Sequence, residues 1–209
     1  MNYLKVALVL LLIEPVKSQT ATELFISPDY SGQEILFGGS AGDSSKVSFF
    51  SYTRFIVNYQ RERPNEFLNY SAVNYDILKG LGLAVGGFAA VQGFSSFASI
   101  TYFYQNDRWA INVFKSAELR PKPNIELFAL VQHRQRISKN WSLFTQLILT
   151  SNFNFRHHNF SEQTFRVGLD NHRFQFGVRT DLRQITSARK NETNTVFNHV
   201  VGLFLRKEF

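Results

Sequence analysis

The 209-residue sequence contains no cysteine. That excludes a disulfide framework, a thiolate metal site, a cysteine nucleophile and the lipid-modified cysteine of a bacterial lipoprotein. Methionine occurs once and proline five times, a composition that suits strands better than helices. Long apolar runs are also missing. The longest, Val6–Ile13, has eight residues, and a membrane-spanning helix needs about 20. Lys5 precedes that run, and Val16-Lys17-Ser18 follows it before Gln19. This order of charge, short apolar core and small residue predicts a cleaved secretory signal over residues 1–18. Without it the net charge falls from +7 to about +6. The basic residues are scattered rather than clustered, and an exported chain seldom meets nucleic acid, so nucleic acid is not expected as a partner.

Aromatic residues are abundant: 22 Phe and 8 Tyr. From Lys46 onward the chain reads as runs of period two separated by polar, turn-prone clusters. The runs are 46–60, 66–78, 81–92, 95–106, 108–119, 123–137, 140–155, 161–170, 172–186 and 195–209. Short joints such as Lys79-Gly80 and Asn106-Asp107 alternate with longer ones such as "RERPN", "QGFSS", "RPKPN" and "TSARKNETNT". That alternation predicts an all-β, up-and-down antiparallel barrel of about ten strands, with eight to twelve as the range. Residues 19–45 are then an N-terminal periplasmic or plug-like segment, and "GGSAGDSS" is its flexible joint to the barrel at 46–209.

Alternation alone does not say which face is inside. In 140–155, Trp141, Leu143, Leu147, Leu149, Phe153 and Phe155 share one face, with Ser142, Gln146, Thr150 and Asn152 on the other. A soluble barrel would turn the apolar face inward, and a membrane barrel would turn it outward. Gly82, Ala84, Gly86 and Ala90 lie opposite Leu81, Leu83, Val85 and Val91. Small residues suit a crowded lumen better than a solvated exterior. Most runs also reach the 9–11 residues that a tilted transmembrane strand requires. Tyr59, Tyr75, Tyr102, Tyr104, Trp109 and Trp141 fall near run ends, as in an interfacial aromatic girdle.

With its signal-like start and the closing run "FNHVVGLFLRKEF", the chain resembles the outer-membrane β-barrel proteins of Gram-negative bacteria over residues 46–209. The resemblance implies a location in the bacterial cell outer membrane, surrounded by its lipid. It also implies a C-terminal strand whose final Phe209 is read by the barrel-assembly machinery. Phe197, Val201, Leu203, Leu205 and Phe209 match that strand pattern, whereas His199 and Lys207 depart from it.

An outward apolar face sends Arg54, Asp76, Glu118, Glu126, Arg134, Arg136, Arg166, Arg179, Asp181, Arg206 and Glu208 into the lumen. A barrel of this size is filled by side chains, so these charges are expected to pair as a structural network. The favoured reading is a non-catalytic structural or accessory membrane subunit without cofactor or metal. Residues 19–45 are available in it for another outer-membrane or periplasmic protein. Two alternatives stand beside it. One is a narrow, porin-like passage preferring anions, from the arginine excess. The other is a hydrolase at the rim, where "RHHNFSEQ" gathers His157, His158, Ser161 and Glu162. Adjacent histidines in an extended segment point apart, so a metal site there is not expected.

Overall fold

The computed structural model describes residues 18–42, 44–91, 93–154, 157–189 and 192–209. The expected signal at 1–18 lies almost wholly outside them, as do Phe155 and Arg156. The strands are β1 (Ser18–Ile26), β2 (Tyr30–Ser40), β3 (Val47–Asn58), β4 (Glu66–Leu78), β5 (Leu81–Ala90) and β6 (Gly93–Gln105). They continue with β7 (Trp109–Glu118), β8 (Ile125–Arg136), β9 (Ser142–Phe153), β10 (His158–Asp170), β11 (Gln175–Arg189) and β12 (Glu192–Glu208). Each pairs antiparallel with its sequence neighbours, and β12 returns to β1 to close the barrel.

The closed barrel therefore has twelve strands rather than about ten. The ten alternating runs correspond to β3–β12. Residues 19–45 are not a plug: they supply β1 and β2, which pair over nine positions from Ser18↔Gly39 to Ile26↔Ser31. The physical reason is closure. The free edge of β12 would otherwise expose unpaired backbone groups, which lipid cannot satisfy. β12 accordingly seals against β1, with Leu24 opposite Leu205, and the amide of Phe209 donates to the carbonyl of Thr20 at 2.8 Å. Two of the joints expected to be long are largely strand. β5 and β6 are separated only by 91–92, and β11 and β12 run to Arg189 and from Glu192.

The faces follow the membrane alternative. Leu24, Val57, Val73, Leu83, Val85, Ile100, Leu147, Phe165, Val178, Leu203 and Leu205 all point outward and are exposed. Arg166, Arg179 and Glu23, at 0%, 2% and 1% exposure, point inward. No soluble barrel would strand guanidiniums inside and leucines outside. Register preserves this sorting along every pair, because a slip of one residue would invert the whole face. Tyr75, Tyr102, Tyr104, Trp109, Trp141, Phe174 and Phe176 are exposed on the outer wall near the rim where β1 starts and β12 ends. There the Trp109 and His133 rings meet at a tilt, 4.3 Å between centres, and Trp141 meets Phe176 edge-on at 6.1 Å.

The lumen is less polar than the alternation suggests. Phe50, Tyr52, Tyr70, Phe97, Phe114, Phe128, Leu130 and Ile148 form a buried cluster on the β3–β9 side. Tyr70 stacks on Phe97 at 4.5 Å, and its hydroxyl reaches Ser116 Oγ at 2.8 Å. Small residues make room for these rings: a Cβ on Gly86 would sit 2.2 Å from the Ser71 carbonyl oxygen and 2.6 Å from Phe97.

Candidate functional site: the ionic lumen and its vestibule

Beside the aromatic cluster, β1–β4, β8 and β10–β12 bring charged side chains into the lumen. Arg166 on β10 donates to Glu23 Oε1 at 2.9 Å, Glu34 Oε2 at 2.5 Å and Gln146 Oε1 at 3.0 Å. Arg179 on β11 reaches Glu23 at 2.9 Å, Glu34 at 2.8 Å and Asp181 at 2.9 Å. Its guanidinium also lies 3.8 Å from the centre of the Phe25 ring. Asp181 accepts from Tyr30 Oη at 2.6 Å and Thr164 Oγ1 at 2.5 Å. A second cluster joins Arg54 to Glu162 at 2.6 Å, Glu162 to Arg183 at 2.7 Å, and Arg183 to Glu66 at 2.8 Å. A third, near the chain ends, links Arg206 to Glu208 at 3.2 Å and Arg134 to both Glu208 and Asp170.

Of the residues anticipated for a lumen network, Arg54, Arg134, Arg166, Arg179, Asp181 and Arg206 thus join three clusters. Asp76 accepts from Asn74 Nδ2 at 2.6 Å, and Glu126 accepts from Asn152 Nδ2 at 3.3 Å, so neither sits within an arginine cluster. Arg136 is exposed at the rim and bonds the Ser138 carbonyl. Glu23 and Glu34 lie in residues 19–45, ahead of the alternating runs that begin at Lys46, so the pattern of those runs does not assign them to the lumen. Their face could have been read from Ala21-x-Glu23-x-Phe25, which alternates with Thr22, Leu24 and Ile26.

In the clusters, six arginines meet seven carboxylates, so the lumen core is close to neutral. Burying so many charges is tolerable only because each has an opposite partner. A continuous water column would leave lumenal side chains accessible. Instead Arg166, Phe114, Phe144, Ile56, Leu130, Gln146 and Thr101 are at most 1% exposed, and these residues come from β3 and from β6 through β10. The mid-lumen is therefore filled.

Above this fill, a blind cavity of about 210 Å³ opens toward the rim opposite the chain ends. Tyr52, Arg54, Ile148 and Thr164 lie deepest along their strands, while Phe88, Asn124, Glu126 and Phe160 stand nearer the mouth. At the same rim the predicted histidine–serine cluster is partly assembled. His158 Nε2 lies 2.8 Å from Ser161 Oγ and 3.3 Å from Ser151 Oγ. A register shift between His158 and Phe160 turns the imidazole onto the outer face beside Ser161. Glu162 is one residue on, so it faces the lumen and is held by Arg54 and Arg183. It cannot serve as the third member. Among the described residues His158 Nδ1 has no hydrogen-bond partner. His157 is directed elsewhere, its Nε2 lying 3.4 Å from Asn154 Nδ2. No group of three or more His, Asp or Glu side chains among the described residues is placed to hold a metal ion.

No protein-family model matches the sequence, and no curated protein does. Solved structures do match. The NanC porin superposes with a TM-score of 0.50 at 6% identity, over 91% of this chain and 98% of its own. OmpT, an outer-membrane protein of Vibrio cholerae, gives 0.39 at 10%, over 93% and 99%. LpxR from Salmonella typhimurium gives 0.39 at 8%, over 92% and 100%. At such identities the likeness is one of fold. Together with the closed antiparallel wall, the likeness to the NanC porin gives this chain the fold of the outer-membrane β-barrel proteins.

Proposed function

We propose that the chain is an integral protein of the bacterial outer membrane that acts as a non-catalytic structural or accessory subunit, with a lumen closed to conduction. The observation that carries this reading is the buried cluster of Arg166 and Arg179 with Glu23, Glu34 and Asp181 at the barrel axis. The clusters join six arginines to seven carboxylates, and that near balance of charge speaks against an anion-preferring passage. The apolar outer wall and the Trp/Tyr girdle support a membrane location. In that orientation the start of β1 and the end of β12 face the periplasm, the side from which assembly machinery would read Phe209, and the vestibule opens outward. A protein partner of residues 19–45 would meet the outward side chains of β1 and β2 and the 41–46 connection. Purified protein in planar bilayers is expected to stay silent at low and high salt. Steady single-channel steps would overturn the closed-lumen reading.

The 2.8 Å contact between His158 and Ser161 favours a second reading, a hydrolase acting at the lipid boundary. Catalysis of this kind needs an orienting group on Nδ1 and donors for the oxyanion. Covalent labelling by a fluorophosphonate, lost in Ser161→Ala, would establish it. Absence of labelling in folded protein leaves the non-catalytic reading.

A further inference from the structure

The vestibule has one charge that its own wall does not answer. Three carboxylates line it, those of Glu118, Glu126 and Glu162, with Arg54 as the lining cation. Glu162 is neutralised by Arg54 at 2.6 Å and Arg183 at 2.7 Å. Glu118 is met at 2.5 Å by Arg120, which stands outside the cavity. Glu126 has only the 3.3 Å hydrogen bond from Asn152, and among the described residues no cation lies within ion-pair distance. A carboxylate in such a recess gains more from a cationic partner than one in water does. The remaining wall mixes apolar side chains, Phe88, Phe97, Phe160, Leu68 and Ile148, with hydroxyl and amide groups, yet most of the surface it presents is carbon.

We propose that this vestibule binds a small organic ammonium ion, its charge on Glu126 and its apolar body against Phe88, Phe97 and Phe160. The uncompensated carboxylate selects for positive charge and against an anion. Aromatic faces favour an ammonium over a neutral group of the same shape. A bare divalent ion is a poor match, because it needs six or more oxygens and this wall is mostly carbon. The volume, about 210 Å³, lies below the roughly 300–1,000 Å³ of pockets for drug-sized ligands. It suits a single-ring amine. Because the floor is filled, such a ligand binds and leaves by the same mouth. The assignment rests on the cavity and not on the proposed role of the barrel.

The test is calorimetric titration of the detergent-solubilised full chain with benzylammonium, benzyl alcohol and benzoate. Benzylammonium is expected to bind saturably at millimolar concentration or below, about tenfold more tightly than benzyl alcohol, with benzoate weakest. Glu126→Gln should erase the preference for ammonium over alcohol. Ser95→Phe, which fills the cavity and leaves the carboxylate in place, should abolish binding of both. Heat-dependent gel mobility shows whether each variant is folded, and either variant suffices if the other fails. No saturable binding, equal affinity for ammonium and alcohol, or ammonium binding unchanged in Glu126→Gln would each overturn the proposal.

Discussion

Arg166 has no exposed surface and three acceptors around its guanidinium. Removing it leaves Glu23 and Glu34, neighbours across the β1–β2 ladder, to share the single guanidinium of Arg179 in a filled lumen. Breaking one partner from a buried ion network costs about 3–5 kcal/mol. Arg166→Met should therefore lower the urea midpoint of unfolding by an amount equivalent to that range. Adding Glu23→Gln to the same chain should recover part of the loss, since the stranded charge goes with it. A full effect from Arg166→Met that Glu23→Gln worsens further would show that the network is not electrostatic in origin. Glu126→Gln should act oppositely and leave stability equal or raised, because that carboxylate has one weak hydrogen bond and no arginine. That Arg166 points inward was legible from Phe165 and Val167 on either side. Its partners were not, because Glu23 and Glu34 stand 143 and 132 positions away in sequence. The inward rings were hidden for another reason. Phe114, Phe128 and Phe144 occupy the face where alternation predicts polar residues, and period two reports a change of face without naming the solvent on each side.

Among the elements, β1 is the weak member of the wall. Its pairing with β12 covers six positions, Ala21↔Glu208 to Ile26↔Leu203, whereas β11 and β12 pair over fifteen. Fewer ladder bonds mean an easier local opening. Hydrogen exchange should therefore reach the amides of β1 before those of β9 or β10, and uniform protection around the barrel would count against a weak seam. The terminal residue helps to hold this seam, because the Phe209 amide bonds to Thr20 and its ring lies 4.5 Å from Lys207 Nζ. Deleting Phe209 should slow insertion into bilayers more than it lowers final stability. The strands β1 and β2 were missed because the outward Ile35 and Phe37 flank the inward Leu36, which blurs the alternation. Gly38-Gly39 also reads as a linker, although both lie in the ladder opposite Phe50 and Phe49.

At the scale of the whole molecule, the positive net charge resides outside the lumen, and unevenly. Lys46, Lys79, Arg108, Arg136, Lys139, Arg173 and Lys207 are all exposed at or beside the rim that carries the chain ends. Asp107 is the exposed acid among the described residues of its connections. At the other rim, Arg61 and Arg63 alternate with Glu62, and Arg120 is paired with Glu118. The basic rim lies beside the belt of Trp109, Trp141 and Tyr102, so its cations stand where lipid headgroups begin. Each lysine or arginine near an anionic surface contributes about 1 kcal/mol, and that attraction is screened within about 10 Å at 0.1 M salt. Folding into vesicles should thus become faster and more complete as phosphatidylglycerol replaces phosphatidylcholine, and molar salt should remove the gain. The triple change Arg108→Glu, Lys139→Glu and Arg173→Glu should abolish the dependence on anionic lipid, whereas Arg61→Glu with Arg63→Glu should preserve it. Equal sensitivity in both variants would mean that net charge alone, rather than its placement on one rim, governs the encounter with the bilayer.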